Sequence, residues 1–210
     1  LSREAFLRVL NHVSSIVDSR STISILSNIY LKCENNQIEI RSTDMDISIK
    51  EFVSADSSKN GEATVNSRIL TDIIRKTKKN TIIKVKNEGN RLIINSENSV
   101  FELNALSADE FPKFTPLDQA NSFELTVEQI KKIFTKTKFA ISSEETRYYL
   151  NGIYFHTIKN GEKNNLIAVA TDGHRLAKTE LEINSSVLIE GIILPRKFIL
   201  QLDKILGDFE

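Results

Sequence analysis

The stretch ATDGHRLA at residues 170–177 places Asp172, Gly173, His174 and Arg175 side by side between apolar runs. Asp172 and His174 could form an acid/base pair, because general catalysis near neutral pH needs an imidazole oriented by a carboxylate. The motifs that accompany such chemistry, such as Gly-x-Ser-x-Gly or His-Glu-x-x-His, are missing from the sequence. The alternative is a structural turn, in which Gly173 takes a positive φ and Asp172 binds the backbone.

Composition restricts the classes of protein to consider. The chain has 210 residues, 40% of them hydrophobic, enough for one large or two ordinary domains. Its single cysteine, Cys33, cannot form an internal disulfide, and no apolar stretch approaches the roughly 20 residues that span a bilayer. We therefore expect a cytoplasmic protein with no membrane partner. No cysteine cluster or other ligand motif points to a metal, and we expect no cofactor.

The elements that must position the turn follow from apolar periodicity. Apolar residues at three- and four-residue spacing predict four helices, near Ser2–Val17, Asn66–Lys79, Thr126–Ala140 and Pro195–Leu206. Strand-like runs are predicted at residues 37–53, 81–87, 90–97, 99–106, 151–158, 165–172 and 174–183. Hairpins of long strands between isolated helices predict an α+β fold with antiparallel sheets.

The chain also contains an internal repeat. Leu1–Phe6 resembles Leu125–Ile130, Ser42–Asp44 resembles Ala170–Asp172, and the helix around Leu70 resembles the helix around Ile199. The matches keep their order, so we predict two copies of one module, at residues 1–120 and 121–210, with a linker at residues 107–122. Copy one has three strand-like runs after its second helix and copy two has none. We therefore expect the second module to be incomplete and the chain to be a fragment.

Charge is distributed unevenly in a chain whose net charge is zero. The four predicted helices together carry +10, so the remaining residues carry −10. Basic helices backed by acidic strands are expected if the helices face a polyanion, since phosphates attract Lys and Arg irrespective of base sequence. The alternative is that Lys is a good helix former at exposed positions, which needs no ligand.

Several blocks resemble, in order, those of the bacterial DNA polymerase III beta subunit family, the sliding clamps. They are RSTISILSNIYLK, IEIRSTDMDISI, NALSADEFPKF, RYYLNGIYFH, AVATDGHRLA and ILPRKFILQL. The resemblance implies the DNA-clamp (processivity) fold, with antiparallel sheets outside and two helices per module lining a central hole for duplex DNA. Such rings have two subunits of three modules each, so the third module would be absent from this chain.

The resemblance further implies a non-catalytic clamp that tethers the replicative polymerase for processive synthesis. Its partners would be double-stranded DNA and, through a short linear peptide, the DNA polymerase III catalytic subunit, the clamp loader, other polymerases and repair proteins. The full-length form would be a homodimer. Two alternatives stay open: an acid/base enzyme using Asp172 and His174, and a peptide-binding adaptor that does not act on DNA.

Three sets of site residues follow from the resemblance. The DNA-binding set is Arg20, Arg68, Tyr148, Tyr149, Arg196 and Lys197. The peptide-binding set is Leu150, Thr171, Gly173, His174, Arg175 and Leu176. The dimer-interface set is Ile73, Phe101 and Leu103, beside a strand edge around Ser99–Leu103. Two further expectations concern the DNA set. Tyr148 and Tyr149 would alternate on a strand, which directs one of them into the core, and Glu144 stands where a Gln would be expected near DNA.

Overall fold

The computed structural model describes residues 1–17, 22–97, 99–113, 122–144, 146–161, 163–184 and 187–209. Its contacts divide the chain into two compact units, residues 1–115 and 116–210. All strand pairs in both units are antiparallel, which confirms the predicted α+β class. None of the described helices is long and apolar enough to cross a membrane.

In its described residues, the first unit is one antiparallel sheet with two α-helices. Its elements are α1 (Arg3–Ser14), β1 (Asn28–Glu34), β2 (Gln37–Thr43), β3 (Ser48–Ser54), β4 (Gly61–Asn66), α2 (Ser67–Lys76), β5 (Ile83–Glu88), β6 (Arg91–Ser96) and β7 (Ser99–Leu106). The strand order is β3-β2-β1-β4-β7-β6-β5. Apolar side chains of the helices and strands form one core, in which Phe6 and Leu70 are almost completely buried.

The two helices of the first unit are antiparallel and joined at both ends. At one end, the buried Arg3 donates from Nε to the carbonyl of Ile74 at 3.1 Å and from Nη2 to that of Arg75 at 2.7 Å. Arg3 thereby satisfies terminal carbonyls of α2, where a cation also suits the helix dipole. At the other end, the Ser14 hydroxyl lies 2.8 Å from that of Ser67. The outward faces of α1 and α2 are therefore fixed relative to each other.

The second unit repeats this plan over a shorter length. Its elements are α3 (Val127–Thr137), β8 (Gly152–Asn160), β9 (Lys163–Thr171), β10 (Leu176–Ile183), β11 (Ile192–Pro195) and α4 (Arg196–Leu206). A capping box between Thr126 and Gln129 starts α3. The strand order β10-β9-β8-β11 matches β3-β2-β1-β4 of the first unit. The predicted repeat of helix, strands and helix is therefore present in the fold.

Three strand predictions differ from the structure. The run at residues 37–53, expected as one strand, is two strands, β2 and β3, separated by a turn at residues 44–47. The predicted runs also do not include β1, β4 or β11. The third difference concerns Tyr148 and Tyr149, which lie on a short 3₁₀ turn, Tyr148–Leu150, so the expected alternation on a strand is wrong.

Candidate functional site

The turn that joins β9 to β10 is held by the side chains of Thr171 and Asp172. The Thr171 hydroxyl donates to the carbonyl of Arg175 at 2.7 Å and accepts the Gly173 N–H at 3.1 Å. One carboxylate oxygen of Asp172 accepts the backbone N–H groups of His174 and Arg175, each at 3.0 Å. Gly173 has a φ of 91°, which a glycine adopts without steric cost. The sequence therefore folds locally into a closed turn that leaves residues 173–176 exposed.

The electrostatics of the turn do not suit acid/base catalysis. Hydrogen bonds from the backbone of His174, then from that of Arg175, lower the pKa of Asp172 from 3.8 to about 2. Asp172 is thus an acceptor for the backbone at neutral pH and a poor proton acceptor. His174 binds Asp172 through its backbone N–H and not through its imidazole. No hydrogen bond joins the imidazole of His174 to another described residue. The geometry gives no support to the acid/base alternative.

The first unit contains a second copy of this turn between β2 and β3. The Thr43 hydroxyl donates to the carbonyl of Ile47 at 2.9 Å and accepts the Met45 N–H at 3.0 Å. Asp44 accepts the backbone N–H groups of Asp46 at 3.0 Å and Ile47 at 2.7 Å. Met45 has a φ of 80°, close to that of Gly173. Because both units share the network, its Thr and Asp are elements of the repeated fold, and the two turns differ in the three residues that follow the Asp.

A loop at residues 142–144 and 146–151 lies next to the turn of the second unit. The Leu150 N–H donates to the carbonyl of Arg147 at 2.8 Å, and the Ser142 N–H donates to that of Leu150 at 3.1 Å. Arg147 Nη1 lies 3.5 Å from the position that a Cβ atom on residue 173 would occupy. The guanidinium of Arg147 therefore lies close to Gly173.

Two residues absent from the predicted site belong to this surface. Arg147 is one, and Phe139, which is 55% exposed, is the other. The guanidinium of Arg175 lies 5.7 Å from the centre of the Phe139 ring, while its Nε pairs with Asp172 at 2.9 Å. The RYYLNG block already contained Arg147. Phe139 follows an amphipathic helix, where sequence alone does not distinguish an exposed ring from a core ring.

The peptide-binding set is partly brought together. Thr171, Gly173, His174, Arg175 and Leu176 share one turn, and Leu176 is 65% exposed. Leu150 is half-buried on the neighbouring loop. The hydroxyl proton of Thr171 is used inside the turn. His174, Arg175 and the two leucines are therefore the members with side-chain surface available to a ligand.

The described members of the DNA-binding set lie on α2, on α4 and on the loop at residues 146–151. Arg68 is exposed on α2, and Lys197 is exposed at the start of α4. Tyr148 and Tyr149 are 79% and 57% exposed, and their rings meet edge to face. Neither tyrosine is in the core. Arg20 lies outside the described residues.

Arg196 and Glu144 each have a partner in the second unit. The Arg196 N–H donates to the carbonyl of Asn151 at 2.9 Å, which attaches the start of α4 to the loop carrying the tyrosines. Glu144 pairs with Arg147 at 2.8 Å. Glu144 is therefore held by its neighbour on the loop, and its charge is partly neutralised.

The predicted dimer-interface residues lie beside an open strand edge. Among the described residues, β7 pairs with β6 along residues 99–104 but with β4 only at residues 105 and 106. Phe101 and Ile73 pack partly buried against the core. Leu103 is only 6% exposed and belongs to the core itself.

Comparison with protein families covers most of the chain. Residues 1–115 match the DNA polymerase III beta subunit, N-terminal domain, and residues 124–210 match the central domain of that subunit. The chain belongs to the DNA polymerase III beta subunit family. The resemblance inferred from the sequence blocks is confirmed.

Relatives in the family are similar over nearly the whole chain. The beta sliding clamp of Caulobacter vibrioides is 38% identical over 209 residues, which is 98% of this chain and 56% of the relative. The beta sliding clamp of Proteus mirabilis is 34% identical over 207 residues, 98% of this chain and 55% of the relative. The chain spans about half the length of the curated relatives that it matches.

Solved structures of the family have the same fold. A sliding clamp (DNA polymerase III subunit beta) from Bartonella birtlesii bound to griselimycin has a TM-score of 0.93 at 36% identity, covering 99% of this chain and 56% of that chain. Polymerase III beta of Caulobacter crescentus has a TM-score of 0.92 at 38% identity, covering 99% and 57%. The predicted clamp fold is therefore confirmed. No group of three or more His, Cys, Asp or Glu side chains in the described part of the chain could hold a metal ion.

Proposed function

We propose that the protein is a sliding clamp that encircles duplex DNA and tethers the replicative polymerase, without catalysing a reaction itself. The match of two consecutive units to the N-terminal and central domains of the beta subunit supports this function most strongly. Asp172 is bound to the backbone, and the ring of His174 has no hydrogen-bond partner in the part of the chain that the structure describes, which agrees with a non-catalytic role. We further propose that the protein acts in the cytoplasm.

DNA would be held by its phosphates. Arg68, Arg196 and Lys197 are cationic residues of the second helix in each unit, and exposed Lys and Arg bind phosphates without reading the bases. The exposed rings of Tyr148 and Tyr149 could pack against the sugar–phosphate backbone. This arrangement suits a protein that holds DNA of any sequence.

Peptides of partner proteins would bind at the turn of residues 171–176. The exposed Leu176 and half-buried Leu150 offer apolar surface, and His174 and Arg175 offer polar groups beside it. Burial of an apolar peptide side chain contributes roughly 1.5–3 kcal/mol. The relative solved with griselimycin shows that a clamp of this fold binds a ligand. The proposed partners are the polymerase III catalytic subunit, the clamp loader, other polymerases and repair proteins.

Assembly would use the open edge of β7. An unpaired edge can add a strand from another chain, and Ile73 and Phe101 provide apolar contacts beside it. We propose that this edge pairs with a second subunit in a homodimeric ring. The module limits 1–120 and 121–210 remain part of this proposal.

Equilibrium binding of short duplexes tests the proposed function. Two duplexes of unrelated sequence are titrated with the protein at several KCl concentrations, using fluorescence anisotropy. We expect both to bind with equal affinity, and log K to fall linearly with log[KCl]. Absence of binding at low salt would favour the peptide-binding adaptor, and a preference for one sequence would contradict a sliding contact.

A further inference from the structure

Asparagine followed by glycine occurs three times in the chain, at residues 60–61, 151–152 and 160–161. The first and third pairs lie in the same tetrapeptide, Lys-Asn-Gly-Glu, at residues 59–62 and 159–162. Because their neighbours are identical, the local sequence gives the asparagines of these two tetrapeptides the same intrinsic reactivity. A difference between them in the folded protein is therefore due to the structure around each one.

The Asn-Gly sequence permits a reaction of the chain with itself. The backbone nitrogen of the glycine loses its proton to a hydroxide ion of the solvent and attacks the side-chain Cγ of the asparagine, so that a C–N bond forms and ammonia leaves. Water then opens the resulting succinimide ring at either carbonyl, which gives aspartate or isoaspartate. In sum, one water is consumed and one ammonia is released, without an oxidant or a cofactor. Glycine favours the attack because it has no Cβ beside the nitrogen.

The surroundings of Asn60 leave room for this attack. Asn60 is exposed and lies outside the strands, in the segment of residues 55–60 that joins β3 to β4. Its side chain forms no hydrogen bond with another described residue. A Cβ atom on residue 61 would meet no heavy atom within 4 Å, so the space beside the attacking nitrogen is open.

Asn160 is also exposed, but its backbone is held in a strand. It is the last residue of β8 and pairs with Lys163 of β9. An extended backbone directs the glycine nitrogen away from the side-chain Cγ, so this end of the hairpin has to open before the ring can close. The structure therefore slows the reaction at Asn160 relative to Asn60.

The third pair, Asn151–Gly152, is held more firmly. The carbonyl of Asn151 accepts the Arg196 N–H at 2.9 Å. Gly152 is buried, and a Cβ atom there would collide with the carbonyl oxygen of Leu194. The chain at this point has no space in which to rotate, so Asn151 should keep its amide while the protein is folded.

We propose that Asn60 is a site of spontaneous modification, which loses its side-chain amide in the folded protein faster than Asn160 does, while Asn151 keeps its own. The product carries a new negative charge in a segment that already contains Asp56. Isoaspartate also adds one methylene group to the main chain directly before β4, which lies between β1 and β7 in the sheet. The modification should therefore destabilise the first unit as the protein ages.

The test follows the three asparagines by peptide mass spectrometry while the protein is incubated in mildly alkaline buffer. Loss of the amide raises the peptide mass by the difference between OH and NH₂, and chromatography separates the aspartate and isoaspartate forms. The folded protein is compared with the same protein in guanidinium chloride. Gly61→Ala is the matched variant, because residue 61 does not have a positive φ and the added methyl group has space, yet it hinders attack by the nitrogen. Thermal unfolding verifies that this variant remains folded.

In the folded protein, Asn60 should convert severalfold faster than Asn160, and Asn151 should not convert in the same period. In guanidinium chloride, Asn60 and Asn160 should convert at equal rates. Gly61→Ala should slow the conversion of Asn60 and leave that of Asn160 unchanged. The proposal is wrong if Asn160 or Asn151 converts as fast as Asn60 in the folded protein, if Asn60 stays intact there, or if the ratio of the rates at Asn60 and Asn160 is the same in denaturant.

Discussion

Asp44 and Asp172 occupy the same position in two copies of one turn. Each carboxylate accepts two backbone N–H groups, over distances between 2.7 and 3.0 Å. The same Asp therefore occurs in both turns, and in the first turn no histidine lies beside it. Its role in both turns is to stabilise the local structure. The turns differ in the three residues after the Asp, where the second has Gly173, His174 and Arg175, all exposed, and the first has the exposed Met45 and Asp46 followed by the buried Ile47.

Acid should weaken the turn of the second unit. The folded state lowers the pKa of Asp172 from 3.8 to about 2, so the stabilisation is complete above pH 4 and is lost as the pH falls towards 2. Asp172→Asn lacks this dependence. We expect the difference in the free energy of unfolding between wild type and Asp172→Asn, measured in urea, to shrink as the pH is lowered from 4 to 2. Asp56→Asn, at an exposed site outside the turn, is the control. A difference that stays constant over this range would contradict the role of the charge.

Alkali should act on the first unit through Tyr30. Burial and then the hydrogen bond to Glu62 raise the pKa of Tyr30 to about 12 from 10.0. The neutral form is favoured in the folded state, so the stabilisation is complete below pH 10 and is lost as the pH rises towards 12. Absorbance of tyrosinate should show a late-titrating group that Tyr30→Phe removes. Tyr154→Phe, at the equivalent position of the second unit, should leave it in place.

The helices could be predicted closely from the sequence, because their apolar residues recur at helical spacing and polar N-caps precede three of them. The turn at residues 44–47 could not, since it contains no glycine and Met45 takes a positive φ. The two backbone hydrogen bonds to Asp44 stabilise the turn conformation that a glycine would otherwise permit.

The residues of the candidate site could be predicted only where they lie in a sequence block that resembles the family. Residues 171–176 are consecutive, so their proximity needed no tertiary information. Arg147 and Phe139 approach the turn only through folding of the loop at residues 146–151 and of the 3₁₀ turn Lys138–Ala140 that follows α3. The burial of Leu103, in contrast with the partial exposure of Phe101, depends on the packing of β7 and could not be inferred from alternation alone.

Leu103 and Ile73 should respond differently to substitution. Leu103→Ala creates a cavity in the core and should lower the free energy of unfolding by about 2–5 kcal/mol. Ile73→Asp places a charge at the partly buried flank of the open edge and should reduce self-association with a smaller loss of stability. Denaturant unfolding and analytical ultracentrifugation separate the two effects. The measurement uses a form of the protein that self-associates. If Ile73→Asp leaves its self-association unchanged, the proposed role of the β7 edge in assembly is wrong.

Peptide binding should depend on the exposed residues of the second turn. His174→Ala and Arg175→Ala should each weaken binding of a polymerase-derived peptide about tenfold, or roughly 1.4 kcal/mol, measured by calorimetry. The backbone hydrogen bonds to Asp172 remain in both variants, so the turn should stay folded. Lys178→Ala on β10 is the matched control. Peptide affinity that is equal in all three variants would place the binding site elsewhere.

The most direct test of the central claim is duplex affinity after charge reversal on the helices. Arg68→Glu, Arg196→Glu and Lys197→Glu are combined in one variant, and Lys84→Glu, Arg91→Glu and Lys178→Glu on the sheets form a control with the same change in net charge. Anisotropy with a short duplex at low salt gives the affinity of each. A clamp that holds DNA by these helices predicts a loss of at least about tenfold in the first variant and a much smaller loss in the second. Equal losses would show that only net charge matters, and would contradict the assignment of the helices to DNA.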